Sequence, residues 1–202
     1  MHQSKNKTST SQSKHQKGVV RIIGGEMRGR KIHFSQVSGL RPTLDRIRET
    51  LFNWLAHSIH GATCLDLFAG SGAIGFEAAS RGAKKVTLVE KHRKVVSQLK
   101  ENASKLQTNT VYVVQDDASD FLKRNKEEFN LVFLDPPFNQ GLLSETFNAL
   151  VPHLSPDAIV YIEQERSEQA FVPPTPWQTL KFKQTGSFSY ALYQRPACQQ
   201  DK

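Results

Sequence analysis

The chain has 202 residues, 38% hydrophobic and 23% charged, with a formal net charge of +8, which suits one globular domain carrying a small extension. No apolar run approaches the ~18 residues needed to cross a bilayer, and the first 18 residues lack the apolar core of a secretory signal, so no membrane partner is expected. Cys64 and Cys198 are the only cysteines; they suggest neither a disulfide framework nor a zinc site, and a reducing cytoplasm fits them.

The charge is unevenly placed. Residues 1–48 hold 11 Lys/Arg and 2 Asp/Glu, whereas residues 49–202 hold 16 and 17. A basic arm on a near-neutral body is the electrostatic footprint of phosphate binding. Residues 1–18, rich in Ser, Thr, Gln, Lys and His, are expected to form a disordered tail. Residues 19–23 and 30–34 read as short strands of a hairpin around Gly24-Gly25. Residues 40–43 read as an extended lead-in, with Thr43 capping a helix. That helix carries Leu44, Ile47, Leu51, Leu55 and Ile59 on one stripe, which leaves Arg46 and Arg48 on other faces. Together with Arg28, Arg30, Lys31 and Arg41, these two arginines are the candidate phosphate contacts. Residues 19–60 are thus expected to be an amino-terminal contact module, and residues 61–196 the main domain.

From Thr63 the pattern alternates. Strands are expected at 63–68, 85–90, 110–115, 129–135 and 158–163, with helices at 73–81, 92–106, 118–124 and 142–154 between them. A closing antiparallel pair at 179–185 and 189–194 turns through Gly186-Ser187. Such βα alternation predicts a mostly parallel, doubly wound sheet, seven-stranded once the closing pair is added. No internal repeat is visible.

The first of these strands runs into Asp66-Leu67-Phe68-Ala69-Gly70-Ser71-Gly72-Ala73-Ile74-Gly75. Gly70, Gly72 and Gly75 match the G-x-G-x-x-G pattern between strand and helix, and an acid, Glu90, ends the next strand. A dinucleotide site is one reading. S-adenosylmethionine is the other, because its cationic groups favour an acid such as Asp66. Its ribose hydroxyls suit a carboxylate such as Glu90, and its adenine amine suits an acceptor after the third strand. Asp116 and Asp117 both stand there. Asp117 is preferred because the Asp117-Ala118 pair opens the next helix.

The fourth strand ends in Asp135-Pro136-Pro137-Phe138. An exocyclic amine of a nucleobase is a poor nucleophile, its lone pair being delocalised into the ring. Asp135 and the Pro136 carbonyl can accept its two N–H bonds and draw the nitrogen towards tetrahedral geometry. Proline fixes φ and removes backbone donors, so the turn presents carbonyls. Phe138 offers a face for stacking, worth roughly 1–3 kcal/mol per base.

These motifs, with Arg21-Ile22-Ile23-Gly24-Gly25, Arg28-Gly29-Arg30 and the run from Arg41 to Phe52, resemble the RsmD family of bacterial 16S rRNA guanine-N2 methyltransferases. The resemblance covers residues 19–195, including the basic closing hairpin Lys181–Arg195. Leu44 stands where that family more often has a small hydroxyl residue. The resemblance implies a class I, Rossmann-like methyltransferase with S-adenosylmethionine as cofactor.

 It further implies methylation of N2 of one guanine of 16S rRNA, guanine 966 in the usual rRNA numbering, on the small ribosomal subunit or an assembly intermediate, by a monomer. By position, Asp135, Pro136 and Phe138 would be catalytic, and Asp66, Phe68, Gly70, Gly72, Glu90, Asp117 and Ala118 would line the cofactor site. The six basic residues named above would bind RNA. No metal is implied, and His57, His60, His92 and His153 lack ligand spacing. Three rival readings are an amino methyltransferase acting on adenine or cytosine of DNA, a nicotinamide oxidoreductase, and a non-catalytic RNA-binding assembly factor.

Overall fold

The computed structural model describes residues 17–35, 45–137, 142–166, 171–186 and 188–195. The expected tail over residues 1–16, the lead-in with Arg41, Thr43 and Leu44, and Phe138 lie outside them. The described chain runs β1 (Lys17–Arg21), β2 (Lys31–Ser35), α1 (Asp45–Trp54), β3 (Thr63–Asp66), α2 (Ala73–Ser80), β4 (Lys85–Glu90), α3 (Arg93–Leu106) and β5 (Val111–Gln115). It continues through α4 (Ala118–Arg124), β6 (Phe129–Leu134), α5 (Leu142–Leu150), a 3-10 turn (Val151–His153), β7 (Leu154–Glu165), β8 (Gln178–Gln184) and β9 (Phe188–Gln194).

Seven strands form one sheet in the order β5-β4-β3-β6-β7-β9-β8. β5, β4, β3, β6 and β7 are parallel, and β9 and β8 close the sheet antiparallel. The apolar runs of β4 and β6 are buried almost throughout, as expected for parallel strands covered by helices on both faces. On one face Cys64, Phe133 and Tyr161 pack with Phe52 of α1, Phe76 of α2 and Leu99 of α3. On the other, Leu65, Val132 and Val160 pack with Leu122 of α4 and Phe147 of α5. The strand order reverses between β3 and β6, which opens a crevice at their carboxyl ends.

Several boundaries depart from the sequence reading, two of them with a clear consequence for the fold. The helix expected to reach residue 154 ends at Leu150, because Pro152 cannot continue the α-helical hydrogen bonding. Leu154 instead begins β7 and pairs with Phe129 across a register shift. At the other end of the chain, Lys17 and Gly18 were expected in the tail but pair with Ser35 and Phe34 in the β1–β2 hairpin.

The hairpin is built into the main core. Val20, Ile22, Ile32 and Phe34 belong to the same apolar cluster as Phe76 and Leu99. Glu77, fully buried in α2, accepts hydrogen bonds from the Ile23 and Gly24 amides, both at 2.8 Å. Asn102 of α3 donates to the His33 carbonyl at 2.7 Å and accepts from the His33 amide at 3.1 Å. At Gly25, with φ of 76°, an added Cβ would lie 1.8 Å from the Ser80 carbonyl oxygen, so only glycine permits this approach. No helix among the described residues is long and apolar enough to cross a membrane.

Candidate active site

The loop after β3 turns back over the sheet edge. The Ala69 amide donates to the Val89 carbonyl at 2.9 Å, and the Gly70 amide to Glu90 Oε2 at 3.2 Å. Gly70 and Gly72 have φ of 49° and 77°, a region that costs a side chain strain. Gly75 serves packing instead, since a Cβ there would come within 2.1 Å of Leu88. Glu90 also accepts from the His92 amide at 2.7 Å through Oε1. Each Glu90 oxygen therefore meets one recorded donor and keeps further lone-pair capacity.

Asp117 is exposed and caps α4, accepting from the Ser119 amide at 3.0 Å. Asp116 accepts from the Asp117 amide through one oxygen and pairs with Arg124 through the other. Asp117 keeps an oxygen without a recorded partner, which favours it over Asp116 as an acceptor for a ligand. Ala118 lies buried in the first turn behind it, and Phe68 is half-buried in the glycine loop.

The crevice gathers carboxylates from adjacent strands. Asp66 ends β3 and is buried. Burial pushes it up to about 7, with the Gly75 amide opposing, the Glu90 charge assisting and the Phe68 amide opposing. Asp135 follows β6 and stands well above the carboxylate range, through desolvation first and then the charges of Glu163 and Asp66. Pro136 is buried beside it and Pro137 is exposed. Glu163 of β7, which the sequence reading did not single out, is buried and raised by desolvation, while its hydrogen bond from Tyr161 draws it down. Its signal was available: Ile159–Ile162 is a strand run ending in an acid, the pattern that marked Asp66, Glu90 and Asp135. Among the described residues no group of His, Cys, Asp and Glu has the geometry to hold a metal ion.

The candidate RNA contacts divide. Arg28, Lys31 and Arg46 are exposed. Arg30 is exposed but spends its guanidinium on the carbonyls of Lys105 and Leu106 at the end of α3. Arg48 is a correction. Its side chain is fully buried, donating to the Arg21 carbonyl at 2.9 Å and to Asp45 at 2.7 Å, with Nη1 3.7 Å from Glu77. A guanidinium enclosed in this way cannot reach a phosphate, so Arg48 is a core residue.

The strand order, the reversed β9-β8 edge and a glycine loop at the switch point are those of a class I, Rossmann-like methyltransferase fold. The Thermus thermophilus 16S rRNA N2 G1207 methyltransferase RsmC, solved with AdoMet and guanosine, shares that fold at 20% identity, with a TM-score of 0.65 over 90% of this chain and 50% of that one. The solved structure of the Escherichia coli protein yhhF is much nearer, at 48% identity and a TM-score of 0.80 over 89% of this chain and 99% of that one. Ribosomal RNA small subunit methyltransferase D of Escherichia coli K12 is 47% identical over 182 residues, 89% of this chain and 92% of that protein. The family model described as conserved hypothetical protein 95 matches residues 20–194. The chain belongs to that family, the RsmD family of methyltransferases.

Proposed function

We propose that this protein transfers a methyl group from S-adenosylmethionine to N2 of a guanine in 16S rRNA, guanine 966 by the family's pattern, on the small ribosomal subunit or an assembly intermediate. The observation that carries the reading is Asp135, held at the carboxyl end of β6 against a crevice it shares with Asp66. The residues present fit the cofactor. Asp66 supplies negative charge for a cation, Glu90 and Asp117 keep acceptor capacity, and Gly70 and Gly72 let backbone approach closely. When bound, S-adenosylmethionine supplies an electrophilic methyl group on a sulfonium.

The remaining chemistry belongs to the chain's own residues. Asp135 and the Pro136 carbonyl accept the two N–H bonds of the guanine amine, which aims its lone pair. Once ionised, a carboxylate held out of water in this way accepts more strongly than one in solvent. Phe138 stacks on the base, and a loop base, already unstacked, costs a few kcal/mol or less to present. The methylated amine sheds its extra proton readily, so Asp135 acts by orientation, and positioning accounts for most of the acceleration. Arg28, Lys31, Arg41 and Arg46 meet phosphates, with the protein acting as a monomer.

The test incubates the protein with tritiated S-adenosylmethionine and either small subunits or DNA, then digests the product and identifies the labelled nucleoside. N2-methylguanosine from 16S rRNA is expected. Labelled adenine or cytosine from DNA would replace this reading with the DNA enzyme, and RNA binding without label would replace it with the assembly factor.

A further inference from the structure

We infer that Glu163 selects guanine, by accepting the hydrogen bond of its ring N1–H beside the amine held at Asp135. The inference rests on the guanine-N2 reading above and adds the group that reads the base. Phe133 pairs with Tyr161 and Leu134 with Ile162 in the parallel ladder of β6 and β7. Asp135 and Glu163 are the next residues on each strand, so they lie side by side at about the 4.8 Å spacing of neighbouring strands. Both follow the alternation of Phe133 and Tyr161 onto the sheet face that packs against α1.

Glu163 is held rather than loose. It is 5% exposed, and the Tyr161 hydroxyl donates to its Oε2 at 2.8 Å. Among the described residues no hydrogen bond to Oε1 is recorded. Asp135 and the Pro136 carbonyl already match the two protons of the amine, so the amine leaves nothing for a second carboxylate to do. The next group along the guanine edge is N1–H, a donor parallel to one amine N–H. In adenine and cytosine the ring nitrogen beside the amine carries a lone pair instead, which a carboxylate repels. An ionised acid fixed at this place therefore attracts one base and rejects two.

The test uses the full chain with small subunits reconstituted on 16S rRNA that carries guanine or 2,6-diaminopurine at the target. Diaminopurine keeps the 2-amine but presents a lone pair at N1. The unmodified protein should prefer guanine by about a hundredfold or more in kcat/KM, as sites built around one hydrogen bond do. Glu163→Gln, whose amide can donate to that lone pair while still accepting from Tyr161, should narrow the preference at least tenfold. Binding of both RNAs in the presence of S-adenosylhomocysteine should move the same way, and S-adenosylhomocysteine affinity should stay within a few-fold. Equal use of the two bases by the unmodified protein, or an unchanged preference in Glu163→Gln, would overturn the inference alone. Absence of N2-methylguanosine in the unmodified guanine arm would overturn the functional reading and the inference together.

Discussion

Asp66 and Asp135 share a crevice but face different tasks, and their variants should separate them. Asp135→Ala should lower turnover by at least about a hundredfold, as loss of an oriented polar group does, while cofactor affinity stays within a few-fold. Asp135→Asn should fall between, since its amide oxygen still accepts a bond without the charge. Steady-state kinetics beside calorimetric cofactor binding checks both, and near-normal turnover in the alanine variant would remove Asp135 from its role. Asp66 should show itself through pH. Burial raises its carboxyl to about 7 from 3.8, so between those values the folded protein binds a proton that the unfolded chain has released. Its stabilising contribution is therefore complete below about 4 and is lost as pH rises through 7. A cationic cofactor wants the ionised form, so cofactor affinity should rise over the same interval. Asp66→Asn should flatten both dependences, on the order of a few kcal/mol in urea unfolding between pH 4 and 8. The acids at strand ends were legible because parallel strands deliver their last residues to one edge. Glu163 is less legible because β7 continues past it to Glu165, so only the end of the apolar run Ile159–Ile162 marks it. Arg48 misled for a different reason: it lies three, four and seven residues before the buried Leu51, Phe52 and Leu55, so helical spacing puts it inward, and its charge was given more weight than its position.

The elements themselves were mostly readable, since buried parallel strands are apolar β-branched runs and the helices between them are periodic. What local pattern could not reveal was the joining of the β1–β2 hairpin to α2. That junction runs through Glu77, an acid in the otherwise apolar helix Ala73–Ser80. Such a helix is buried all round, and a charge within it must find partners. Glu77 finds the Ile23 and Gly24 amides, Arg81 at 2.7 Å and the buried Arg48. The sequence separation exceeds fifty residues, which is why neither segment alone announces the contact. Glu77→Ala leaves two amides without their acceptor and removes the buried carboxylate that stands 3.7 Å from the Arg48 guanidinium, and should cost about 3–5 kcal/mol. Denaturant unfolding measures the loss. Hydrogen exchange at Ile23 and Gly24 should accelerate beyond that of β3 and β4 if the hairpin is what comes free, and uniform acceleration would mean that Glu77 supports the whole core instead.

At the scale of the whole molecule, the positive arm read from composition is partly absorbed by folding. Arg48 is enclosed and Arg30 caps α3, which leaves Arg21, Arg28, Lys31 and Arg46 exposed on the described surface. The rest of the chain, residues 49–202, is close to neutral and should attract RNA weakly at long range. Removing residues 1–16, which takes Lys5, Lys7 and Lys14 but spares β1, should leave folding and cofactor affinity intact and reduce the slope of log K against log salt by up to about 3. Reversing Arg28 and Arg46 to Glu should weaken binding more, because these charges sit on ordered backbone and lose less freedom on contact. Reversing Arg48 should behave differently again, unfolding the protein rather than altering its salt dependence. A salt series of RNA affinity for the unmodified chain, the truncation and the double reversal decides the matter. Identical slopes for all three would make the charge asymmetry a matter of solubility, and would move the RNA contact to Lys181, Lys183 and Arg195 at the closing edge of the sheet.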